Sequence, residues 1–83
     1  MSVKKIDGRQ SVAARGLLGW SRADLADRSK VSMATLADFE SGKRVPYDRT
    51  LADILSAFEA AGVVFISENG GGAGVRLSKP SGN

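Results

Sequence analysis

Two short runs of helical character, residues 21–29 and 32–41, are separated by a turn of about three residues, and each opens on a serine. Ser21 is followed three residues later by Asp24, the spacing of a reciprocal capping box. Leu25 and Ala26 give that first run its buried side. After Ser29-Lys30-Val31, Ser32 stands where a hydroxyl can accept from an amide left without a partner at a helix start. The second run places Leu36 and Phe39 three apart and meets Gly42, a natural left-handed stop. The spacing therefore predicts two capped helices joined tightly. It fits a helix-turn-helix, whose second helix can enter a DNA major groove, and equally a plain helical hairpin in a small bundle.

Residues 1–8 are expected to be a flexible leader, and Lys4 and Lys5 within it a mobile segment or a minor-groove arm. Between Arg9 and Trp20, the residues Val12, Ala13, Leu17 and Trp20 recur at steps of three to four, which predicts one buried helix face. Gly16 lowers helix propensity there by about 1 kcal/mol and suggests a close neighbour. Gly19 ends the stretch. Lys43-Arg44-Val45-Pro46-Tyr47 forms a basic loop, after which Asp48 or Thr50 is expected to cap a helix carrying Leu51, Ile54, Leu55 and Phe58. These stand at i, i+3, i+4 and i+7, the clearest helical stripe in the chain. Past Gly62 the pattern changes: Val63-Val64-Phe65-Ile66 is β-branched and aromatic and reads as a strand. The glycine-rich residues 68–74 make a turn, Val75-Arg76-Leu77 a short return strand, and residues 78–83 a polar tail expected to be disordered. The expected organisation is a leader at 1–8, a helical domain at 9–62, a strand or hairpin at 63–77 and a tail.

Composition narrows the function. Eighty-three residues make one domain, and with no cysteine the fold has neither a disulfide nor a thiolate metal site to help it. There is no histidine, so the commonest general base and the commonest metal ligand are both missing. The carboxylates fall at caps, on exposed helix faces or in an expected ion pair, which argues against an enzyme, a metal site or a cofactor. The glycine-rich turn carries no Gly-Lys-Ser/Thr signature and does not open a helix, so it is a poor phosphate loop. A net charge of +3 is compatible with nucleic acid without demanding it. No stretch approaches a membrane span or a signal peptide, and a cytoplasmic location is expected.

The run Trp20-Ser21-Arg22-Ala23-Asp24-Leu25-Ala26, with Val31-Ser32-Met33-Ala34-Thr35-Leu36 and Phe39-Glu40-Ser41-Gly42, closely resembles the xenobiotic-response-element (XRE) family, which includes the lambda and related phage repressors. The resemblance spans roughly residues 12–61. It implies a mostly α, lambda-repressor-like bundle of five-helix type, here with a short C-terminal strand or hairpin, and a regulator of transcription. It further implies that Leu25, Val31, Leu36 and Phe39 lock the two motif helices. Arg15 and Glu40 match family positions that form a buried ion pair, and Lys43 and Arg44 match positions that grip phosphate.

The outward residues depart from that family. Arg22 stands where glutamine is usual, and the groove-facing positions are Met33, Ala34, Ala37 and Asp38, with Thr35 able to donate. Base edges are read mainly by Arg, Lys, Asn and Gln, and none of these lies between Ser32 and Gly42. Basic residues (Arg22, Arg28, Lys30, Lys43, Arg44, Arg49) surround the helix instead. The first expectation is sequence-specific binding of double-stranded DNA as a small repressor or autoregulator. The alternative is an antiactivator or antitoxin-like module, whose small, apolar and partly acidic helix face binds an activator protein. Val63, Val64, Phe65 and Ile66 are apolar on both strand faces, so this segment is expected to pair with a second copy or to fold back on its own helices. A dimer would read a palindromic operator with half-sites about one turn apart.

Overall fold

The computed structural model describes residues 6–67 and 71–78. Four helices, α1 (Gly8–Leu18), α2 (Arg22–Ser29), α3 (Met33–Ser41) and α4 (Asp48–Ala60), precede an antiparallel pair, β1 (Val63–Ile66) and β2 (Gly74–Leu77). The fold is mostly α with a hairpin. The five-helix expectation is corrected: among the described residues there are four helices, and the β-branched run after Gly62 continues as sheet. Lys4 and Lys5, residues 68–70 of the glycine-rich turn and residues 79–83 of the tail lie outside the described residues.

Local chemistry explains the starts and stops. Asp7, Ser21 and Ser32 cap α1, α2 and α3, and the Asp7–Gln10 and Ser21–Asp24 pairs are full capping boxes. α1 and α3 stop at Gly19 and Gly42 in left-handed conformation. α4 differs from expectation, because neither Asp48 nor Thr50 caps it. Tyr47 holds the cap position with no side-chain hydrogen bond, and the helix already begins at Asp48, whose negative charge suits a first turn.

The leader expected over 1–8 ends earlier than predicted. Ile6 is in the core, Asp7 caps α1 and Gly8 is its first residue. The face expected for α1 is also corrected. Val12 and Leu17 are exposed, as is Ala13, whereas Gln10, Ser11 and Ala14 are buried. Two polar side chains can occupy the buried face because both are satisfied there. Ser11 Oγ donates to Glu40, and Gln10 Nε2 donates to the carbonyls of Gly74 (3.0 Å) and Ile66 (3.4 Å), tying α1 to the hairpin. The close approach expected at Gly16 occurs at Gly8 instead; a Cβ at Gly16 would meet nothing within 4 Å.

The core gathers Leu25, Leu36, Phe39, Leu51, Ile54, Leu55 and Phe58 from the helices with Val63 and Phe65 from β1. Phe58 is fully buried, stacked on Trp20 at 5.8 Å and edge-on to Phe65 at 5.6 Å. β1 and β2 pair Val63 with Leu77, Val64 with Arg76, Phe65 with Val75 and Ile66 with Gly74. Opposed residues share a face, so Val63 and Phe65 point into the core, and Val64 and Ile66 lie on the other side. Val63 and Phe65 are already used by the chain's own core.

One backbone position carries an avoidable cost. Lys30, the last residue of α2's cap, has φ 61° and is the one non-glycine residue with positive φ among those described. A β-carbon there is unfavourable by about 1–2 kcal/mol, partly offset on glycine substitution by the freer unfolded chain. Lys30→Gly is therefore expected to stabilise the fold by about 0.5–1 kcal/mol, a rise of several degrees in Tm by thermal melt. Loss of stability instead would show that the lysine side chain contributes more than its backbone costs.

Candidate nucleic-acid interface

The geometry of the α2–α3 pair is set from inside. Leu25 and Leu36 are fully buried, Val31 and Phe39 nearly so, and together they fix the two helices around the turn. Ser29 completes the turn: its buried hydroxyl donates to the Leu25 carbonyl at 2.7 Å and accepts from the Val31 amide at 3.3 Å. With the inner side so committed, α3 presents its remaining residues outward. Met33 is 48% exposed and Ala34 is exposed, while Thr35, Ala37 and Asp38 are half-buried. At the helix start, the Ser32 and Thr35 hydroxyls meet at 2.9 Å.

The basic loop is folded against the other end of α3. The Asp38 carbonyl accepts from the amides of Lys43 (2.9 Å) and Arg44 (3.2 Å) and from the Ser41 hydroxyl (3.2 Å). The Asp38 carboxylate, which on an open face would repel phosphate, lies 3.7 Å from Arg44 Nε. Arg44 is thus shared between Asp38 and solvent, while Lys43 is exposed. Val45 and Tyr47 extend the face; they are 84% and 87% exposed, and with Thr35, Arg44, Pro46 and Thr50 they line a shallow cleft beside α3. By sequence Val45 and Tyr47 are only loop residues. Their exposure follows from the loop's path, which no local pattern announces.

Behind the face lies a buried ionic cluster. Arg15 Nη2 and Nε approach Glu40 Oε1 and Oε2 at 2.8 and 2.9 Å, a two-point pairing. The Glu40 side chain is 1% exposed and also accepts from Ser11 and from Arg22 Nε at 3.0 Å. Burial alone would raise the glutamate pKa, but the hydrogen bonds from Arg15, Ser11 and Arg22, with the Arg15 charge, hold it below the ordinary carboxylate range. The hydrogen bond to Glu40 likewise raises the Arg15 pKa against the effect of burial. Of the outward residues singled out by sequence, Arg22 is the one drawn inward, from its expected place on the open face to this cluster. Ser11 and Arg22 were not expected as its members, being 29 and 18 residues from Glu40 with no local pattern connecting them.

Among the described residues, no group of His, Cys, Asp or Glu is arranged to hold a metal ion, and no helix is long and apolar enough to cross a membrane. What the arrangement offers is one outward helix face, fixed in orientation by the neighbouring helix and bordered by cations. A family model described as Helix-turn-helix matches residues 13–60, which runs from within α1 to the end of α4. No curated protein matches the chain.

Proposed function

The chain belongs to the XRE-type helix-turn-helix family of regulatory DNA-binding domains, and from that premise we propose that it binds double-stranded DNA sequence-specifically, as a small cytoplasmic repressor or autoregulator. The observation that carries this reading is the Asp38–Arg44 pair. It places the one acid on the outer face of α3 against a cation, while the neighbouring Lys43 stays exposed to meet phosphate. Met33 and Ala34, exposed at the start of α3, suit contact with a thymine methyl, and the Thr35 hydroxyl can still donate its proton. A twofold dimer on a palindromic site is the finer form of the proposal. Of the four strand residues first expected to make it, Val64 and Ile66 remain available.

A second reading rests on a different observation. Met33, Val45 and Tyr47 put three large, well-exposed side chains on or beside α3, more apolar surface than a phosphate-lined groove calls for. On this reading the same face binds and masks a transcriptional activator.

The test is a titration into the DNA upstream of the protein's own gene at about 150 mM salt, with excess unrelated duplex; specific proteins prefer their sites by about 10³-fold or more. A competitor-resistant complex, with a salt slope reduced by about 0.9 in Lys43→Ala, supports the DNA reading. Asp38→Arg separates the two readings. It adds positive charge and releases Arg44, so DNA affinity should rise while a protein complex should weaken. Weaker DNA binding by this variant would overturn the assignment of the face.

A further inference from the structure

We infer that Glu40, besides closing the core, is a positioning residue for DNA: it holds Arg22 by its Nε so that the terminal nitrogens of the guanidinium form a fixed fork for one backbone phosphate. The inference rests on the DNA-binding reading and adds to it a residue that never touches the ligand.

Glu40 is a single carboxylate, already met at two points by Arg15 and hydrogen-bonded by Ser11. Neutrality is complete without Arg22. Its arrival at 3.0 Å leaves the cluster with one surplus positive charge, and a surplus charge beside a buried group is tolerated only where it faces water or an anion. The gradation of exposure fits: the Glu40 side chain is 1% exposed, that of Arg15 16% and that of Arg22 39%.

The Nε–H of Arg22 is spent on Glu40 Oε1, and among the described residues its two terminal nitrogens have no hydrogen-bond partner. A guanidinium held at its Nε carries its two terminal nitrogens in the same rigid plane, which is the shape that matches two oxygens of a phosphate. Arg22 is the first residue of α2, so the fork stands where the helix start adds positive potential. Asp24, two residues on, has its carboxylate turned to the Ser21 amide at 2.9 Å and does not pair with Arg22. A free lysine at this place would carry the same charge with none of this direction. The glutamine usual in the family would carry no charge for Glu40 to hold.

The inference makes a prediction opposite in sign to simple electrostatics. Removing a negative charge from a DNA-binding protein should tighten binding, whereas removing the group that aims Arg22 should loosen it. The experiment measures anisotropy of a fluorescein-labelled 24-base-pair duplex of arbitrary sequence, titrated at several low salt concentrations with the full chain and with Glu40→Gln, Arg22→Gln and the double variant. Circular dichroism at 10 °C checks that each is folded. Glu40→Gln is expected to bind about 10-fold more weakly, Arg22→Gln to lose about 0.9 of the salt slope, and the double variant to bind no worse than Arg22→Gln alone. Tighter or unchanged binding by Glu40→Gln overturns the inference. So does full additivity in the double variant, which would mean that Glu40 acts through the fold and not through Arg22. Should Glu40→Gln fail to fold, Arg22→Lys decides with Glu40 intact. It keeps the charge and loses the fork, so an affinity lower by about 10-fold at an unchanged salt slope is expected, and equal affinity overturns the proposal. Absence of any duplex binding by the unaltered protein, even at low salt, would instead sink the DNA reading itself and this inference with it.

Discussion

Glu40→Ala is expected to destabilise the protein by about 3–5 kcal/mol, because it strips the partner from a largely buried guanidinium and leaves the buried Ser11 hydroxyl without its acceptor. A domain of this size has a total stability of about 5–15 kcal/mol, so the variant should be partly or wholly unfolded at 37 °C. The measurement is urea or thermal unfolding followed by circular dichroism. A loss below about 1 kcal/mol, typical of a solvated surface pair, would contradict the burial described above. The same carboxylate gives the prediction a pH dependence of known sign. Its folded pKa lies below the ordinary value, so the stability it contributes is complete above the unfolded glutamate pKa of about 4.3. It is lost as pH falls through the lower, folded value. The gap between wild type and Glu40→Ala should therefore be constant from neutral pH down to the unfolded pKa and narrow in stronger acid. A gap that stayed open at low pH would mean that the carboxyl group matters for its shape and not for its charge.

What the sequence disclosed of this fold was what is decided locally. Ser21 with Asp24, Ser32 before its helix and Gly42 after it are each read from a window of four residues, and the structure places all of them as caps. The α4 stripe was legible because Leu51, Ile54, Leu55 and Phe58 form an uninterrupted apolar face. The buried face of α1 is hidden from the sequence for a related reason. That face holds Gln10 and Ser11, and apolar periodicity cannot detect a polar residue whose partner lies 29 or 64 positions away. The pattern pointed instead to Val12 and Leu17, which face solvent. At the site, the order and charge of the groove-facing residues could be read, but not their pairings. Asp38 looked like an obstacle to DNA until the loop returned Arg44 to it, and Arg22 looked like a free surface cation until Glu40 held it.

The glycines of α1 make the same point in the form of a second large effect. The sequence pattern places Gly8 in the leader and close packing at Gly16, whereas the structure puts the close approach at Gly8 and leaves Gly16 open. A Cβ at Gly8 would lie 2.7 Å from Glu40 Cα and 2.9 Å from the Phe39 carbonyl carbon. Both are backbone atoms, so no rotamer change can relieve the contact, and α1 must move away from α3. That motion lengthens the bonds from Ser11 and Arg15 to Glu40, adding loss of the ionic cluster to the cost of overpacking. Alanine is the better helix former by about 1 kcal/mol in a helix interior and by less at the first position, which is too little to reverse the sign. Gly8→Ala is therefore expected to cost about 3 kcal/mol, toward the upper end for an overpacked core. Gly16→Ala meets nothing within 4 Å and should gain about 0.5–1 kcal/mol of helix propensity. One chemical change in one helix should thus move Tm in opposite directions at the two positions. A double-mutant cycle between Gly8→Ala and Glu40→Ala tests the mechanism, since a clash acting through the ionic cluster predicts a combined loss well below the sum. Full additivity would show that α1 yields at Gly8 without disturbing Glu40, and a neutral Gly8→Ala would mean that α1 and α3 do not approach as closely as described.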